Sequence, residues 1–388
     1  MQVKHLQHAI DTQAPESGPG FHPRTLLLLG AGHAHLQVLE SLAKEPLVGV
    51  QVTLVAPYPR QMYFARVADM VAGHCSVDDC AIPLPELVQR AGVRWLQASV
   101  SALHADARMA LLDNGTELSF DWVSINTGAV QDRDAIEAAM PGARTHALFL
   151  RPIETFAALW PRVAAMGEAR PLRVAVIGAG AAGVEIAMAL RQRLPHCALT
   201  LVCGDHAPGS SFPAPVQHRL TRALKKRKVT LLQARATGFH DGEVVLDNGA
   251  RLACDVPLIA VGVHGPRWLH GCGLALDAQG FVEVNAFQQS TSHAYVFATG
   301  DVSTRMDKHL PRSGSYAVGA GPALVRNLVA TAHNTPLHAY QPPTHALLLL
   351  SCGDKTAIAS WGAWSAQGRW LGWWKQRREQ RFLARYKA

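Results

Sequence analysis

Two apolar runs of four residues, each ending at a glycine, stand out in the pattern of hydrophobic and polar positions. One covers residues 26–29 and ends at Gly30, and the other covers residues 174–177 and ends at Gly178. Such continuous runs are typical of strands buried on both faces of a parallel sheet. A helix-like stretch follows each glycine. The pattern therefore predicts a strand, a tight turn and a helix in two separate parts of the chain.

The segments after the two glycines continue to match each other. Each has a further strand, at 50–56 or 198–202, then a hairpin, at 109–118 or 243–252, and a last strand that ends at Gly128 or Gly262. Both hairpins contain Asn-Gly, the strongest short hairpin signal, which predicts a positive φ at both turn residues. The same order of elements in both halves indicates an internal duplication.

The two glycine turns have the spacing of a dinucleotide-binding motif. Gly178, Gly180 and Gly183 complete the pattern Gly-x-Gly-x-x-Gly, whereas the first turn has Gly30, Gly32 and, in the third place, His35. The first glycine permits a tight turn, the second lets the backbone approach a pyrophosphate, and the third lets helix and strand pack closely. The anion then lies at the positive end of the helix. Two such turns suggest two dinucleotides, one of which reduces the other.

Composition and charge exclude several classes of protein. A hydrophobic content of 48% with 17% charged residues indicates a folded chain of two or three domains. No apolar run reaches the roughly 18 residues of a membrane-spanning helix. Residues 1–23 are polar and lack the core of a secretory signal, so we expect a flexible leader and a cytoplasmic protein. The net charge is +8, yet no nucleic-acid-binding module is visible, and we expect no nucleic-acid partner.

Seven cysteines are present, and all but two are scattered. We therefore expect neither a disulfide framework nor a zinc site, and we assign no metal. The exception is the pair Cys75 and Cys80, whose spacing can support a redox-active disulfide. Asp78 and Asp79 lie between them, and negative charge raises thiol pKa values. A redox pair and two ordinary cysteines both stay open as interpretations.

A third motif connects these features to a known family. Residues 295–301 read Tyr-Val-Phe-Ala-Thr-Gly-Asp. Together with the two glycine turns, this motif makes the chain resemble the two-dinucleotide-binding flavoproteins of the pyridine nucleotide-disulfide oxidoreductase superfamily. Within that superfamily it is most similar to type II NADH dehydrogenases and to the flavoprotein domain fused to selenophosphate synthetase. The likeness to the latter lies in the stretches at 30–39, 71–74 with 79–80, 311–317 and 321–328, and in the C-terminal end rich in tryptophan and arginine.

The resemblance implies FAD and NAD(P)H as ligands and suggests which residues bind them. Asp301 would bind the ribityl chain of FAD, and the helix that begins near residue 314 would point its positive end at the flavin. The full expected FAD set is Gly30, Gly32, His35, Gly128, Gly300, Asp301, Tyr316 and Ala317. The expected NAD(P)H set is Gly178, Gly180, Gly183, Glu185, Asp205 and Gly262, with Glu185 orienting the nicotinamide.

The two strand ends that should bind adenosine ribose depart from the usual pattern. An acidic residue is expected there, but the first strand ends at Ala56 and Pro57, which leaves the contact weakened or made by the backbone. The second strand ends at Cys203, with Asp205 two residues later. No arginine stands at this second strand end to bind a 2′-phosphate, so the sequence favours NADH over NADPH.

Tryptophan and arginine dominate the C-terminal segment. On a helix, positions 370, 374, 378, 382 and 386 fall near one face, and only Arg378 interrupts the apolar stripe. We expect this amphipathic helix to lie on an anionic membrane surface. Packing on the body of the protein, or on a second copy in a homodimer, is the alternative.

The predicted fold is α/β with two Rossmann-like dinucleotide-binding domains. Residues 24–150 and 268–340 would form a split FAD domain, residues 151–267 the inserted NAD(P)H domain, and residues 341–388 a short C-terminal segment. We expect an FAD-dependent oxidoreductase that takes hydride from NAD(P)H and passes two electrons to a small-molecule acceptor, with a membrane quinone as the candidate. The alternatives are a thiol-disulfide or sulfide oxidoreductase that uses Cys75 and Cys80, and a non-catalytic flavin-binding partner.

Overall fold

The structure, a computed structural model, describes residues 23–387. The predicted leader at 1–23 therefore lies almost entirely outside the described residues. The first strands are β1 Arg24–Leu29, β2 Val50–Val55, β3 Arg60–Met62, β4 Ala81–Pro83, β5 Arg94–Leu96, β6 Val100–His104, β7 Met109–Leu112, β8 Glu117–Ser119 and β9 Trp122–Ile125. The helices among them are α1 His33–Lys44, α2 Val67–Val71 and α3 Pro85–Arg90.

A second set of elements repeats this arrangement. Its helices are α4 Arg133–Ala139, α5 Ala143–His146, α6 Ile153–Ala169, α7 Ala181–Arg193 and α8 Ala214–Lys226. Its strands are β10 Leu148–Phe149, β11 Arg173–Ile177, β12 Ala198–Val202, β13 Thr230–Leu232, β14 Ala236–His240, β15 Glu243–Leu246, β16 Arg251–Ala253 and β17 Val256–Ile259.

The chain then returns to the first unit and ends in a C-terminal segment. The remaining strands are β18 Val282–Val284, β19 Val296–Ala298, β20 Ser303–Arg305, β21 Leu348–Ser351, β22 Ala357–Trp361 and β23 Trp364–Gly368. The last helices are α9 Gly314–Ala332 and α10 Arg369–Ala384. Short 3₁₀ helices cover Phe64–Arg66, Asp78–Cys80, Arg267–Leu269 and Gly300–Val302.

Two parallel five-stranded sheets have the same topology. Their strand orders are β19-β9-β1-β2-β5 and β10-β17-β11-β12-β13. Each glycine turn follows the central strand, β1 or β11, and leads into the helix α1 or α7. This is the doubly wound α/β arrangement that the duplicated pattern predicts, and its ligands bind beyond the carboxyl ends of the strands.

Most strands of the first sheet precede the second sheet in the chain, but β19 follows it and pairs in parallel with β9. The unit that contains the second sheet is thus inserted into the first. β10 ends just before residue 151, where we place the start of the inserted domain, yet it pairs with β17 of the second sheet. The domain boundaries stay a prediction.

Both predicted hairpins form, but their tips differ from the expected turn. β7 pairs with β8, and β15 pairs with β16, in antiparallel ladders. Only the glycines have a positive φ, +81° at Gly115 and +79° at Gly249. Gly115 N donates to Leu112 O at 3.0 Å, which makes a turn whose single left-handed residue is glycine. The prediction of positive φ at both Asn and Gly was therefore wrong.

Both faces of each central strand are covered, which explains why the apolar runs are continuous. Leu26 and Leu28 of β1 pack towards α1 and α9, whereas Leu27 and Leu29 pack towards the β6–β8 sheet. The central strand of the second sheet is covered on both faces in the same way. None of the described helices combines the length and hydropathy needed to cross a membrane.

Candidate functional site

The first glycine turn is held by the end of β9. Gly30 has φ +85°, and a Cβ on Gly32 would collide with the side chain of Asn126. The Asn126 amide oxygen accepts from Ala34 N at 3.1 Å and from His35 N at 3.2 Å, and its Nδ2 donates to Thr299 O at 2.6 Å. Asn126 thus joins the turn, the end of β9 and the segment before Asp301. It also takes two of the N–H groups that the motif was expected to offer to an anion.

His35, predicted as a cofactor ligand, lies beneath the turn. It is fully buried, with Nδ1 2.5 Å from Gly30 O and Nε2 2.8 Å from Ser124 Oγ. A carbonyl oxygen only accepts, so Nδ1 carries the proton and Nε2 accepts from the serine hydroxyl. Burial lowers the pKa of His35 to about 4, so the ring is neutral. Its contacts position the turn and do not reach the cavity described next.

A cavity of about 580 Å³ extends along the carboxyl end of the first sheet. It begins at the end of β2, passes the first glycine turn and the segment 126–128, and ends beside the N-terminus of α9. Of the predicted FAD-binding residues, the lining contains Gly30, Gly32, Gly128, Gly300, Asp301 and Ala317. Tyr316 lines a smaller neighbouring cavity instead.

His33 also lines this cavity, although it is not in the expected FAD set. Its Nε2 is buried and has no hydrogen-bond partner among the described residues. Its ring contacts those of Tyr63 and Phe382, with centroids 5.2 and 5.8 Å apart. Burial lowers the pKa of His33 to about 4, and Asp301 and Arg151 exert smaller, opposing effects. A neutral, unpartnered imidazole nitrogen in this wall suits a polar ligand.

Asp301 stands at the far end of the cavity beside a residue that we did not predict. Its carboxylate lies 3.2 Å from the guanidinium of Arg151, which also donates to Ala129 O at 3.0 Å. Arg151 follows the apolar strand β10 of the second sheet, so this ion pair connects the two units. A polar residue directly after an apolar strand was the available signal, but the partner of Arg151 lies 150 positions away in sequence.

Backbone groups at the first ribose position already have partners. Ala56 N donates to Leu96 O at 3.1 Å, and Ala56 O accepts from the indole N–H of Trp95 at 3.0 Å. Ala56 N is therefore already paired, whereas Ala56 O can accept a second hydrogen bond, so a backbone contact to ribose stays a prediction. Pro57 and Tyr58 remain in the cavity wall at this end.

The three glycines of the second turn have different surroundings, which indicate different roles. Gly178 has φ +108°, and a Cβ there would lie 2.9 Å from Ala260 O. A Cβ on Gly183 would collide with Gly178 O, whereas one on Gly180 would meet no described atom within 4 Å. Gly178 and Gly183 are thus required by the fold itself. The space over Gly180, like that over Gly262, is open to a ligand.

Asp205 follows β12 as predicted, and Arg235 follows the neighbouring strand β13. The two side chains form an exposed ion pair, and Arg235 lowers the pKa of Asp205. The sequence places no arginine directly at the end of β12, but the parallel pairing of β12 with β13 brings one there. The basis on which the sequence favoured NADH over NADPH is therefore removed.

Glu185 contacts the C-terminal segment. Its Oε1 accepts from Ser351 N at 2.6 Å, and Ser351 Oγ donates to Asp69 at 3.2 Å. The ammonium of Lys375 lies 2.8 Å from Glu379 and 3.6 Å from Asp69. Burial raises the pKa of Glu185 to about 7, against the opposing effect of Lys375. Glu185 is not among the residues that line the large cavity.

The thiols of Cys75 and Cys80 lie 3.4 Å apart, and all seven cysteines are free. Cys80 is buried and Cys75 is partly exposed. The hydrogen bond between them lowers the pKa of Cys75 and raises that of Cys80. Ala81, the residue after Cys80, pairs with Met62 of the cavity wall, so the thiols lie behind that wall.

Helix α10 buries a different face from the one predicted. Leu371, Lys375, Glu379, Phe382 and Tyr386 are buried against the body of the protein. Trp370, Trp373 and Trp374 are between 38% and 61% exposed, as are Trp361 and Trp364 on the β22–β23 hairpin. The predicted stripe of 370, 374, 378, 382 and 386 is thus divided, because its C-terminal half packs inwards and its N-terminal half faces solvent.

Comparisons with known proteins agree with this geometry. The family model described as pyridine nucleotide-disulphide oxidoreductase matches residues 24–323. The ferredoxin–NAD(+) reductase component of the p-cumate 2,3-dioxygenase system of Pseudomonas putida is 28% identical over 293 residues, 72% of this chain and 68% of that protein. The alternative NAD(P)H-ubiquinone oxidoreductase C1 of Arabidopsis thaliana is 25% identical over 358 residues, 80% of this chain and 68% of that protein.

A solved structure shares the fold. NDH2 from Plasmodium falciparum, in complex with NADH, superposes with a TM-score of 0.78 at 12% identity, covering 94% of this chain and 98% of that one. The family model spans both glycine turns and the Asp301 motif. The chain is therefore an oxidoreductase that belongs to the pyridine nucleotide-disulphide oxidoreductase family.

Proposed function

We propose that the chain is an FAD-dependent NAD(P)H dehydrogenase that passes two electrons to an acceptor. The observation that carries this proposal is the large cavity of the first unit, which runs from the end of β2 past the first glycine turn to Asp301 and α9. When bound, FAD would accept hydride from NAD(P)H and release electrons to the acceptor. The protein's part is to bind and align the two ligands and to stabilise charge.

The residues of the cavity fit an extended dinucleotide. Gly30 and Gly32 line the cavity at the first glycine turn, where the pyrophosphate would lie. His33, whose Nε2 has no partner among the described residues, lines the same part of the cavity. Asp301 would accept hydrogen bonds from ribityl hydroxyls, with Arg151 holding its carboxylate in place. Gly314 and Ala317 put the N-terminal turn of α9 in the wall, where the positive end of a 19-residue helix stabilises negative charge.

The second unit would bind NAD(P)H. The open space over Gly180 would take the pyrophosphate, and Asp205 with Arg235 would contact the adenosine ribose. The pair suits either nucleotide, because the carboxylate accepts from ribose hydroxyls and the guanidinium binds a 2′-phosphate. The role of Glu185 in orienting the nicotinamide stays a prediction.

The visible spectrum of the purified protein tests the proposal. We expect flavin absorption that bleaches on anaerobic addition of NADH or NADPH and returns when a quinone is added. A flavin that neither nucleotide reduces would instead support the non-catalytic flavin-binding alternative. A protein that retains no flavin would contradict both.

We propose further that the exposed tryptophans form a membrane-contacting surface and that the acceptor is a membrane quinone. This tryptophan surface consists of Trp361, Trp364, Trp370, Trp373 and Trp374. Arg377 and Arg378 stack over Trp373 and Trp374, with cation–ring distances of 5.6 Å. Indole rings prefer the headgroup region of a bilayer, and arginine binds anionic lipids there.

Flotation with lipid vesicles tests this surface. We expect binding to vesicles that contain phosphatidylserine, and loss of that binding in the double variant Trp370→Ala, Trp373→Ala. Met306→Ala removes another exposed apolar side chain, 55% exposed, and is the matched control. Equal flotation of both variants would contradict the assignment. Dimers by light scattering that the tryptophan variant abolishes would identify a second copy as the occupant.

A second candidate function is thiol-disulfide or sulfide oxidation at Cys75 and Cys80. The 3.4 Å distance between their sulfur atoms favours it, as does the contrast between a partly exposed and a buried thiol. Cys75→Ser distinguishes the two functions. Unchanged NADH-to-quinone turnover in this variant would show that the dehydrogenase function does not require the thiols. Loss of turnover would favour the thiol route.

A further inference from the structure

A second cavity, of about 200 Å³, lies behind the segment that carries Asp301. β18, β20, the loop 306–313 and the first turns of α9 enclose it. It shares only Gly300, Asp301 and Ala317 with the large cavity. The role proposed for the large cavity therefore leaves the remainder of this lining unexplained.

Three residues of this lining each have a buried polar atom without a hydrogen-bond partner among the described residues. These atoms are the amide oxygen of Gln288, the hydroxyl of Tyr340 and the hydroxyl of Ser313. Gln288 is 2% exposed and Tyr340 is 8% exposed. Buried polar atoms are nearly always hydrogen-bonded, so three orphans around one cavity point to a polar occupant.

The orientation of Gln288 follows from its other partners. Its Nε2 donates to Ala320 O at 3.1 Å and to Thr299 Oγ1 at 3.0 Å. A carbonyl oxygen cannot donate, so the amide cannot be flipped without losing the bond to Ala320. The amide oxygen is left as an acceptor and needs a donor from the occupant.

The hydroxyls of Ser313 and Tyr340 can donate hydrogen bonds, so they need an acceptor from the occupant. Ser313 is the N-cap of α9, yet its side chain makes no capping hydrogen bond, although serine is favoured at this position for that bond. Burial raises the pKa of Tyr340, so its phenol stays protonated and can donate. An occupant therefore needs both a donor, for Gln288, and an oxygen acceptor, for Tyr340 and Ser313.

Charge and shape narrow the class of ligand. The two arginines of the lining are already paired, Arg305 with Asp307 at 2.6 Å and Arg312 with Thr304 at 2.6 Å and Asp277 at 3.5 Å. The remaining walls include Val284, Ala298 and Ala320. An apolar cavity of about 150 Å³ holds a benzene molecule, so this one has room for a single ring with polar substituents.

We propose that this second cavity binds a small, neutral, hydroxylated ring compound of the phenol class, at a site separate from those of FAD and NAD(P)H. One ring hydroxyl donates to Gln288, and the oxygen of another accepts from Tyr340 and Ser313. The ring packs between the apolar walls. Because the lining includes Asp301 and Ala317, the ligand lies against the wall of the large cavity.

Calorimetry on the purified full chain tests the site with resorcinol, a ring with two hydroxyls, and with toluene as a ring without any. We expect resorcinol to bind at least about tenfold more tightly than toluene, and Tyr340→Phe to weaken resorcinol about three- to tenfold. Tyr295→Phe is the matched control, because its hydroxyl donates to Ala105 O away from this cavity. Neither tyrosine variant should change the reduction of flavin by NADH.

Three results would overturn the proposal. Resorcinol could fail to bind below about 10 mM, which would mean that water alone meets the three polar atoms. It could bind no better than toluene, or Tyr340→Phe could bind it as well as the unaltered chain does. Each is read from heat of binding and does not depend on whether the flavin is reduced by NADH.

Discussion

The same added methyl group should affect different properties at two glycines of the second turn, folding stability at Gly183 and nucleotide binding at Gly180. A Cβ on Gly183 would collide with Gly178 O and lie 3.0 Å from Gly178 C, so the turn or α7 must shift. Inserting a methyl group into a packed site costs about 1–3 kcal/mol of folding free energy. Gly180 has φ −69°, which alanine adopts readily, and open space where the Cβ would lie. Gly180→Ala should therefore leave the free energy of unfolding nearly unchanged.

The cost at Gly180 should appear in binding instead. If the pyrophosphate of NAD(P)H approaches the backbone there, the methyl group meets the ligand with a similar penalty, which corresponds to a rise in KM of about 5- to 150-fold. Little change is expected in kcat, because the lost contact is made equally in the ground and transition states.

Urea unfolding and steady-state kinetics of both variants provide the assay. Gly183→Ala should lower the unfolding midpoint, and Gly180→Ala should raise the KM for NAD(P)H while the midpoint stays in place. A Gly180→Ala enzyme with normal KM and normal stability would refute the reasoning that this open space belongs to the nucleotide.

Three further changes have expected outcomes. Arg235→Ala should raise the KM for NADPH about tenfold or more and that for NADH much less, since only the former has a 2′-phosphate; equal effects would remove Arg235 from the ribose site. Burial raises the pKa of Glu185 from 4.5 to about 7, so the folded state binds more protons between these values and stability falls as the pH rises through them. Glu185→Gln should therefore gain stability relative to the unaltered chain at pH 8 but not at pH 4, as measured by urea unfolding; a pH-independent difference would contradict this. Asn126→Ala should lower the free energy of unfolding by about 1–3 kcal/mol, whereas Thr127→Ala, whose hydroxyl has no partner among the described residues, should change it little.

The fold class was predictable from sequence because its signals are local. Burial on both faces of a parallel strand requires continuous apolar runs, and a tight turn into a helix requires glycine, so Gly30 and Gly178 mark the centres of the two sheets. The family resemblance then directed attention to Asp301, Gly128 and Ala317, which the structure brings to one cavity.

The contacts that the sequence did not predict share a physical cause. Arg151 meets Asp301, and Arg235 meets Asp205, through strands that become neighbours only when the sheets assemble. His35 has a motif position but is turned under the chain by bonds to Gly30 and Ser124. The hydrophobic pattern of the sequence does not predict these contacts, because each joins residues from segments that are distant in the chain.

The sequence by itself determined the duplicated α/β units, their two glycine turns and the order of their elements along the chain, since local periodicity and backbone conformation set these. Only the tertiary structure decided which face of α10 is buried, because Asp69 and Ala65 O bind the ammonium of Lys375, which pairs in turn with the buried Glu379, while the tryptophans are left outside. Tertiary packing also created the second cavity, whose polar atoms come from segments that no motif connects.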